Sequence, residues 1–297
     1  MLLARPEGAA GGSKGLALFA LPRRLKDGSR NAYRIVRLKD KLGTRSMASG
    51  EILLEGAVAY LVGDAERGLK QMMEQVNLSR LSHGVRANAG AKDAESILRL
   101  LTPLLKFRAC RDNIPVATGA MEVRGGNGYI EEWVHARLIR DAHIGVLWEG
   151  TSNINALDIV TRAVGKSRAH RTLQPALTKL LDEAAAVPAV FRDRLRLALD
   201  RALAFAERVA AEPALEERAR QAASSLYHVT SAILMTWEAA RPGADARRAL
   251  YARLVLEHRL STQDPLEPQT GNWEHAATEI LLSERPVAIA GIAGLLN

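Results

Sequence analysis

The stretch from Gly125 to Val160, GGNGYIEEWVHARLIRDAHIGVLWEGTSNINALDIV, decides how the rest of the chain is interpreted. Two glycine-containing turns, GGNGY and WEGTSN, interrupt a pattern that is otherwise helical. In the first turn, successive glycines allow backbone N–H groups to converge on an anion such as a phosphate. For this turn taken alone we favour a helix C-cap with a tight turn, which is a very common use of glycine.

The second turn places Glu149 beside the large apolar ring of Trp148 and in front of Gly150. Such a carboxylate is expected to be partly desolvated, as suits a group that removes a proton. Gly150 permits the close approach of a ligand, and a helix that begins just after it favours negative charge nearby. The alternative is an ordinary turn between two helices, with Glu149 facing solvent.

Working outward, residues 1–63 have the pattern of β-structure. Three runs predict strands, namely KGLALFALP, NAYRIVRL and EILLEGAVAYLVG. From Asp64, a plausible N-cap, apolar residues recur at helical spacing. Pro103 and Pro115 are expected to kink or divide the helical region that follows. Ser152 is a candidate cap for the helix after WEGT, and Gly165 is its candidate end.

Beyond Gly165 the chain consists of Ala-, Leu- and Arg-rich amphipathic stretches, which predict a small up-and-down helical module. The predicted fold class is therefore mainly α, with a partial antiparallel β-domain, a helical bundle and an extra C-terminal helical module. The corresponding domains are residues 1–63, 64–165 and 166–297.

The formal net charge of +8 suggests a polyanion as partner, but the charge is unevenly distributed. Residues 1–50 carry 11 Lys and Arg against 3 Asp and Glu, whereas residues 165–297 carry 17 against 16. Basic residues also protect exposed strand edges from aggregation, and we favour that interpretation over nucleic-acid binding.

Other features of the sequence bear on the compartment. The single cysteine, Cys110, excludes an internal disulfide framework and favours a reducing compartment. No apolar run reaches the ~20 residues of a membrane helix. The first residues, MLLARPEGAAGG, lack the pattern of a secretory signal. We therefore expect a cytoplasmic location.

The whole of the stretch 125–160 resembles the C-terminal signature of the acyl-CoA dehydrogenase family. Upstream, DKLGTRSMASGEILLEGAVAYLVGDAERGLKQMM (residues 40–73) is similar to the end of that family's middle β-domain and the start of its next helix. The resemblance covers residues 1 to about 165. The module beyond is similar to the fourth domain of the branch that includes the alkylation-response flavoprotein.

The resemblance implies FAD, an acyl-CoA substrate and a role for Glu149. This carboxylate removes the α-proton while the β-hydrogen leaves as hydride to flavin N5. The positions that match cofactor-contacting residues are Gly125, Gly126, Gly128, Thr151 and Asn153. The positions that match substrate-contacting residues are Asn77, Arg80 and Gly150. Some relatives carry the base on the helix after the β-domain, but Ser79 occupies that position here, which favours Glu149.

The resemblance also implies a homo-oligomer that acts in fatty acid metabolism and passes electrons to an electron-transfer flavoprotein, with no metal site. Parts of the family pattern are missing from the sequence, namely the N-terminal helical domain, the first half of the β-domain and an Arg-x-x-Phe-Gly motif that meets FAD phosphates. A catalytically silent scaffold is therefore an alternative function. A nucleic-acid-associated protein is a third, although the near-neutral C-terminal module counts against it.

Overall fold

The computed structural model describes residues 1–81, 91–262, 264, 266 and 273–297, and only the backbone of residues 75–81 and 91–92. These residues form two compact units. The first unit contains Met1–Val85 and Cys110–Glu149, and the second contains Arg86–Ala109 and Gly150–Asn297. The division into three domains at residues 63 and 165 stays a prediction.

The first unit opens with five short strands, β1 (Leu2–Ala4), β2 (Ala17–Ala20), β3 (Tyr33–Leu38), β4 (Gly50–Leu54) and β5 (Tyr60–Leu61). Strands β1, β2 and β5 form one antiparallel sheet with β2 in the centre, where Phe19 pairs with both Leu2 and Leu61. Strands β3 and β4 form a separate antiparallel pair with a register shift between Ile35 and Arg37.

These strands confirm the β-structure predicted for residues 1–63, with two differences. The short strand β1 was not predicted, because LLA is too brief to show alternation. The run EILLEGAVAYLVG is two strands rather than one, because Gly56 adopts a φ of 80° and turns the chain between β4 and β5. None of the described residues after Leu61 forms a strand.

The β3–β4 pair exposes apolar side chains to solvent. Ile35 and Ile52 are directly opposite in the register and are 58% and 51% exposed. Arg37 bonds Glu51 across the pair at 2.9 Å, and Arg34 bonds Glu55 at 3.2 Å. The charged side chains predicted on these strands are therefore present, but they leave an apolar surface between them.

Helix α1 (Gly68–Leu81) follows a single 3₁₀ turn, Ala65–Arg67. Asp64 caps this turn as predicted, since its Oδ1 accepts a hydrogen bond from the Glu66 N–H at 3.0 Å. Gly68 is buried against β2, and a Cβ at this position would clash with the backbone of Ala17 and Leu18. A glycine is therefore what allows α1 to approach the sheet.

Helix α2 (Ala91–Glu122) is 32 residues long and supplies residues to both units. It runs without a break through Pro103 and Pro115, so neither proline divides it. Two shorter helices complete the first unit, α3 (Gly126–Tyr129) and α4 (Val134–Ile144).

All regular secondary structure among the described residues of the second unit is helical. Helix α5 (Ser152–Leu157) continues as a π-helix over Asp158–Lys166. The helices that follow are α6 (His170–Glu183), α7 (Ala189–Ala211), α8 (Ala219–Ala239), α9 (Arg247–Val255), α10 (Trp273–Leu282) and α11 (Ile289–Ile292). Helix α9 also ends in a π-helical turn, Leu256–Leu260.

One apolar core joins these helices, and it contains Leu100 and Leu104 of α2 together with buried residues from α5 to α11. On α7 the core residues Phe191, Leu195 and Leu199 recur every four positions, which is the spacing of one helix face. The fold is mainly α, as predicted. No helix in the described part of the chain has the length and hydropathy to cross a membrane.

Candidate functional site

The glycine turn begins where α2 ends. Gly125 adopts a φ of 56°, and its N–H donates to the carbonyl oxygen of Glu122 at 2.9 Å. Gly128 packs so closely on α2 that a Cβ would clash with the Met121 carbonyl oxygen. The C-cap interpretation thus accounts for two of the three glycines.

Gly126 has neither of these structural reasons. A Cβ at Gly125 or Gly126 would meet no atom within 4 Å, and both residues are exposed. This part of the turn therefore presents bare backbone to solvent, as a surface that receives a large ligand does.

The turn with Glu149 begins where α4 ends at Ile144. The N–H groups of Leu147 and Trp148 both donate to the Ile144 carbonyl oxygen, at 3.0 and 3.1 Å. Trp148 remains 40% exposed, whereas Glu149 is partly buried.

The backbone of this turn is unusual. Glu149 has a φ of 54° and Gly150 a φ of 100°, so two consecutive residues lie in the left-handed region. An L-residue other than Gly, Asn or Asp rarely adopts this conformation, which costs about 1–2 kcal/mol. Strain of this kind is found where the surrounding structure enforces it, and it is concentrated at functional sites.

Helix α5 begins with Thr151 rather than Ser152 as its N-cap. Thr151 has an extended backbone, with ψ of 168°, and its carbonyl oxygen accepts from the Asn155 N–H at 3.0 Å. Its side chain makes no capping hydrogen bond. The prediction of Ser152 as the cap is therefore wrong by one residue.

Asn155 is a site residue that the sequence did not reveal. Its side chain is buried, at 2% exposure, and Nδ2 donates to the carbonyl oxygens of Gly150 at 2.7 Å and Thr151 at 3.0 Å. The amide thus ties the turn to the first turn of α5. The position in GTSNIN offers a weak signal, since asparagine is a poor residue for a helix interior.

Asp158, three residues further, anchors α5 to α2. Both guanidinium nitrogens of Arg99 bond its carboxylate, at 2.8 and 2.9 Å. Bidentate pairs of this kind fix orientation as well as distance.

The helix then continues past Gly165 to Lys166, so the prediction that Gly165 ends it is also wrong, by one residue.

The side chains of Thr151 and Asn153 are exposed and make no hydrogen bond within the described residues. They are thus able to bind a polar ligand without breaking an existing contact.

Chain connectivity keeps Glu149, Gly150 and Thr151 in one turn. Gly125, Gly126 and Gly128 belong to the first unit, as does Glu149, whereas Gly150, Thr151 and Asn153 belong to the second.

The predicted substrate residues Asn77 and Arg80 belong to α1, and so does Ser79. Their side chains are outside the described residues.

Comparison with known proteins supports the resemblance seen in the sequence. Residues 86–165 match the family profile of the acyl-CoA dehydrogenase C-terminal domain. Among individual proteins, the putative acyl-CoA dehydrogenase AidB of Escherichia coli is 30% identical over 82% of this chain and 53% of its own length. The chain spans a little over half the length of the curated relatives that it matches.

Solved structures show the same fold. The Caenorhabditis elegans protein ACDH-11, in complex with C11-CoA, superimposes with a TM-score of 0.77 at 22% identity, over 96% of this chain and 60% of that one. An acyl-CoA dehydrogenase from Bacillus anthracis, complexed with FAD, gives a TM-score of 0.57 at 14% identity, over 96% and 69% of the two chains. The predicted resemblance and fold class are confirmed.

Proposed function

We propose that this chain, a relative of the acyl-CoA dehydrogenases, takes part in the FAD-dependent α,β-dehydrogenation of an acyl-CoA thioester, with Glu149 as the base. One observation carries the proposal. Within the stretch that resembles the family signature, Glu149 is held in a left-handed conformation, and Asn155 ties down the turn immediately after it. A left-handed residue at the end of a helix is usually glycine, so a glutamate in this conformation is uncommon there.

The role of Glu149 is to remove the proton on the α-carbon of the thioester. A positioned carboxylate contributes about 10²–10⁴-fold to such a step. The proton passes to Glu149, the two electrons of the β-C–H bond leave with the hydride, and the product is the trans-2-enoyl thioester. Gly150, which follows the base directly, leaves room for the substrate to approach the backbone.

Five residues are proposed to hold the flavin, and their surroundings fit that task. Gly125 and Gly126 offer open backbone, and the exposed side chains of Thr151 and Asn153 offer a hydroxyl and an amide. Gly128 keeps the turn close to α2 and so places the other two glycines. When bound, the flavin supplies the electron sink, for which no side chain can substitute.

Asn77 and Arg80 are proposed to contact the acyl-CoA. An electron-transfer flavoprotein is proposed to accept the electrons. The working form is proposed to be a homo-oligomer that acts in fatty acid metabolism. Two complexes of similar proteins support the choice of ligands, since one contains C11-CoA and the other FAD.

A catalytically silent scaffold is the second candidate, and one observation favours it. The sequence has no Arg-x-x-Phe-Gly motif, which in related chains meets the FAD phosphates. Under this alternative the strained turn at Glu149 is a remnant of a lost activity.

Visible absorption spectroscopy with the full chain separates the two candidates. The chain is incubated with FAD, freed of unbound cofactor, and then mixed with acyl-CoA under anaerobic conditions. We expect bound flavin that bleaches with the wild type, and bound flavin that does not bleach with Glu149→Gln, which keeps the shape and removes the basicity.

Glu132→Gln is the matched control, because Glu132 is an exposed carboxylate of the same unit. It is expected to bleach like the wild type. Bleaching of Glu149→Gln at the wild-type rate contradicts the role of Glu149. A chain that never retains flavin supports the scaffold.

A further inference from the structure

A groove in the second unit is lined by residues that have no role in the proposed dehydrogenation. It runs between α7, α8 and the end of the π-helical turn after α9, and its volume is about 670 Å³. Three arginines line it, Arg201, Arg208 and Arg259, and no carboxylate is among the described residues that line it. Its volume lies within the range of small-molecule sites, about 300–1,000 Å³.

The charge of these arginines is not neutralised within the described part of the chain. No ion pair or hydrogen bond of the Arg201, Arg208 or Arg259 side chain occurs there. Neighbouring arginines differ, since Arg194 bonds Glu257 at 2.7 Å and Arg196 bonds Asp182 at 2.5 Å. Three uncompensated guanidinium groups around one concave surface favour an anionic ligand.

The spacing of the groups points to an extended anion. Arg201 and Arg208 are seven residues apart on α7, which puts them on one face about 10 Å apart along the axis. At this spacing the two guanidinium groups are able to bind separate phosphates of a chain of two or three phosphates. Guanidinium groups bind phosphate oxygens in bidentate fashion.

The floor between the two arginines is apolar. Phe205 lies between them on the same face, with the Arg208 guanidinium carbon 5.6 Å from the centre of its ring. Ala198 and Ala202 continue this floor. A planar ring packs well on such a surface of aromatic, alanine and guanidinium groups.

We propose that this groove binds an organic polyphosphate with a planar ring, which is the chemistry of a nucleoside di- or triphosphate. Arg201, Arg208 and Arg259 bind the phosphates, and Phe205 lies under the ring. The exposed side chains of Gln221 and Thr262 at the rim offer hydrogen bonds to the polar edge of the ligand.

Isothermal titration calorimetry of the full chain tests this proposal with ADP, ATP, inorganic pyrophosphate and a short DNA duplex as separate probes. We expect ADP and ATP to bind and to weaken as salt is raised, because the contacts are electrostatic. Pyrophosphate is expected to bind at least 10-fold more weakly than ADP, because it lacks the ring.

Three variants assign the binding to the groove. Arg201→Gln and Arg259→Gln are each expected to weaken ADP binding at least 10-fold, and Arg201→Lys less than Arg201→Gln, because it keeps the charge and loses the bidentate geometry. Arg285→Gln is the control, because Arg285 is an exposed arginine of the same unit outside the groove. Circular dichroism melting checks that each variant is folded.

Four outcomes overturn the proposal. The first is the absence of ADP and ATP binding to the wild type, and the second is wild-type affinity for ADP in both Arg201→Gln and Arg259→Gln. The third is equal affinity for pyrophosphate and ADP, and the fourth is tight binding of the duplex without binding of the nucleotides. The last outcome assigns the groove to nucleic acid instead.

Discussion

The side-chain amide of Asn155 donates a hydrogen bond from Nδ2 to the carbonyl oxygen of Gly150 at 2.7 Å. This bond fixes the turn in which Glu149 lies. Asn155 is almost completely buried, so this contact is shielded from water. It is therefore a positioning contact for the residue that we propose as the base.

The first prediction concerns this contact. Asn155→Ala removes the donor and leaves the Gly150 carbonyl oxygen without its bond, so we expect a loss of about 1–3 kcal/mol in the free energy of unfolding. Urea unfolding measures the loss. Asn153→Ala is the control two residues away, and it is expected to stay within about 0.5 kcal/mol because its side chain is exposed. Equal stability of the two variants contradicts the role given to Asn155.

The second prediction concerns the left-handed backbone of Glu149. Glu149→Gly and Glu149→Ala both remove the carboxylate, but only glycine adopts a φ of 54° without strain. We expect the glycine variant to be more stable than the alanine variant by about 1–2 kcal/mol. At Ala204, an exposed position in α7, glycine should instead be less stable than alanine by about 1 kcal/mol. An alanine variant that is more stable than the glycine variant at both positions would show that Glu149 is not strained.

The third prediction compares two glycines of the first unit. Gly68→Ala should destabilise the protein by about 1–3 kcal/mol, because the added methyl group meets the backbone of β2 and not a movable side chain. Gly119 lies inside α2, and a Cβ at this position would meet no atom outside its own helix backbone within 4 Å. Gly119→Ala should therefore stabilise the protein by about 0.5–1 kcal/mol. Thermal unfolding of both variants measures the two opposite shifts.

The fourth prediction concerns pH. A hydrogen bond from the Arg247 side chain lowers the pKa of Asp245 to about 2, helped by the N–H groups of Arg247 and Val287. A carboxylate with a lowered pKa stabilises the fold above its unfolded pKa, and this contribution disappears as the pH falls from about 4 to about 2.

Asp245→Asn should therefore lower the free energy of unfolding by about 1–2 kcal/mol at pH 7, after allowance for solvent screening, and by much less near pH 2. Urea unfolding at pH 7, 4 and 2 measures the difference. Glu284→Gln, at an exposed position of the same unit, is expected to show no such trend. A constant difference between wild type and Asp245→Asn at all three pH values argues against the ion pair.

The fifth prediction concerns self-association through the β3–β4 pair. Ile35 and Ile52 form an exposed apolar patch on paired strands, and such patches are usually covered by another surface. We expect the wild type to self-associate at micromolar concentration and the double variant Ile35→Thr, Ile52→Thr to associate at least 10-fold more weakly. Sedimentation velocity measures both. Leu197→Thr, at a 60% exposed position of α7, is the control, and a monomeric wild type contradicts the prediction.

The sequence predicted the change from strands to helices at Asp64 and the mainly α fold, because both follow from the spacing of apolar residues along the chain. It failed where packing between distant segments decides the local structure. Gly165 has a helical conformation and lies one residue before the end of its helix at Lys166, against Ala210 of α7.

The candidate site shows the same limit. Glu149, Gly150 and Thr151 are consecutive residues of one motif, so the sequence was enough to predict that they lie in one turn. Asn155 was missed because its role depends on burial and on a bond back to Gly150, and neither is visible in the spacing of residues. The groove of three arginines was missed for a similar reason, since Arg259 is far from Arg201 and Arg208 along the chain.

The chain carries its own reporter for the packing of the first unit. Cys110, its single cysteine, is partly buried on α2, and a Cβ on Gly145 would lie 3.3 Å from its sulfur. The segment that runs from the end of α4 into the Glu149 turn therefore limits access to the only thiol. We expect a change in the packing of this segment to change the rate at which a disulfide reagent labels the wild-type protein, without any engineered probe.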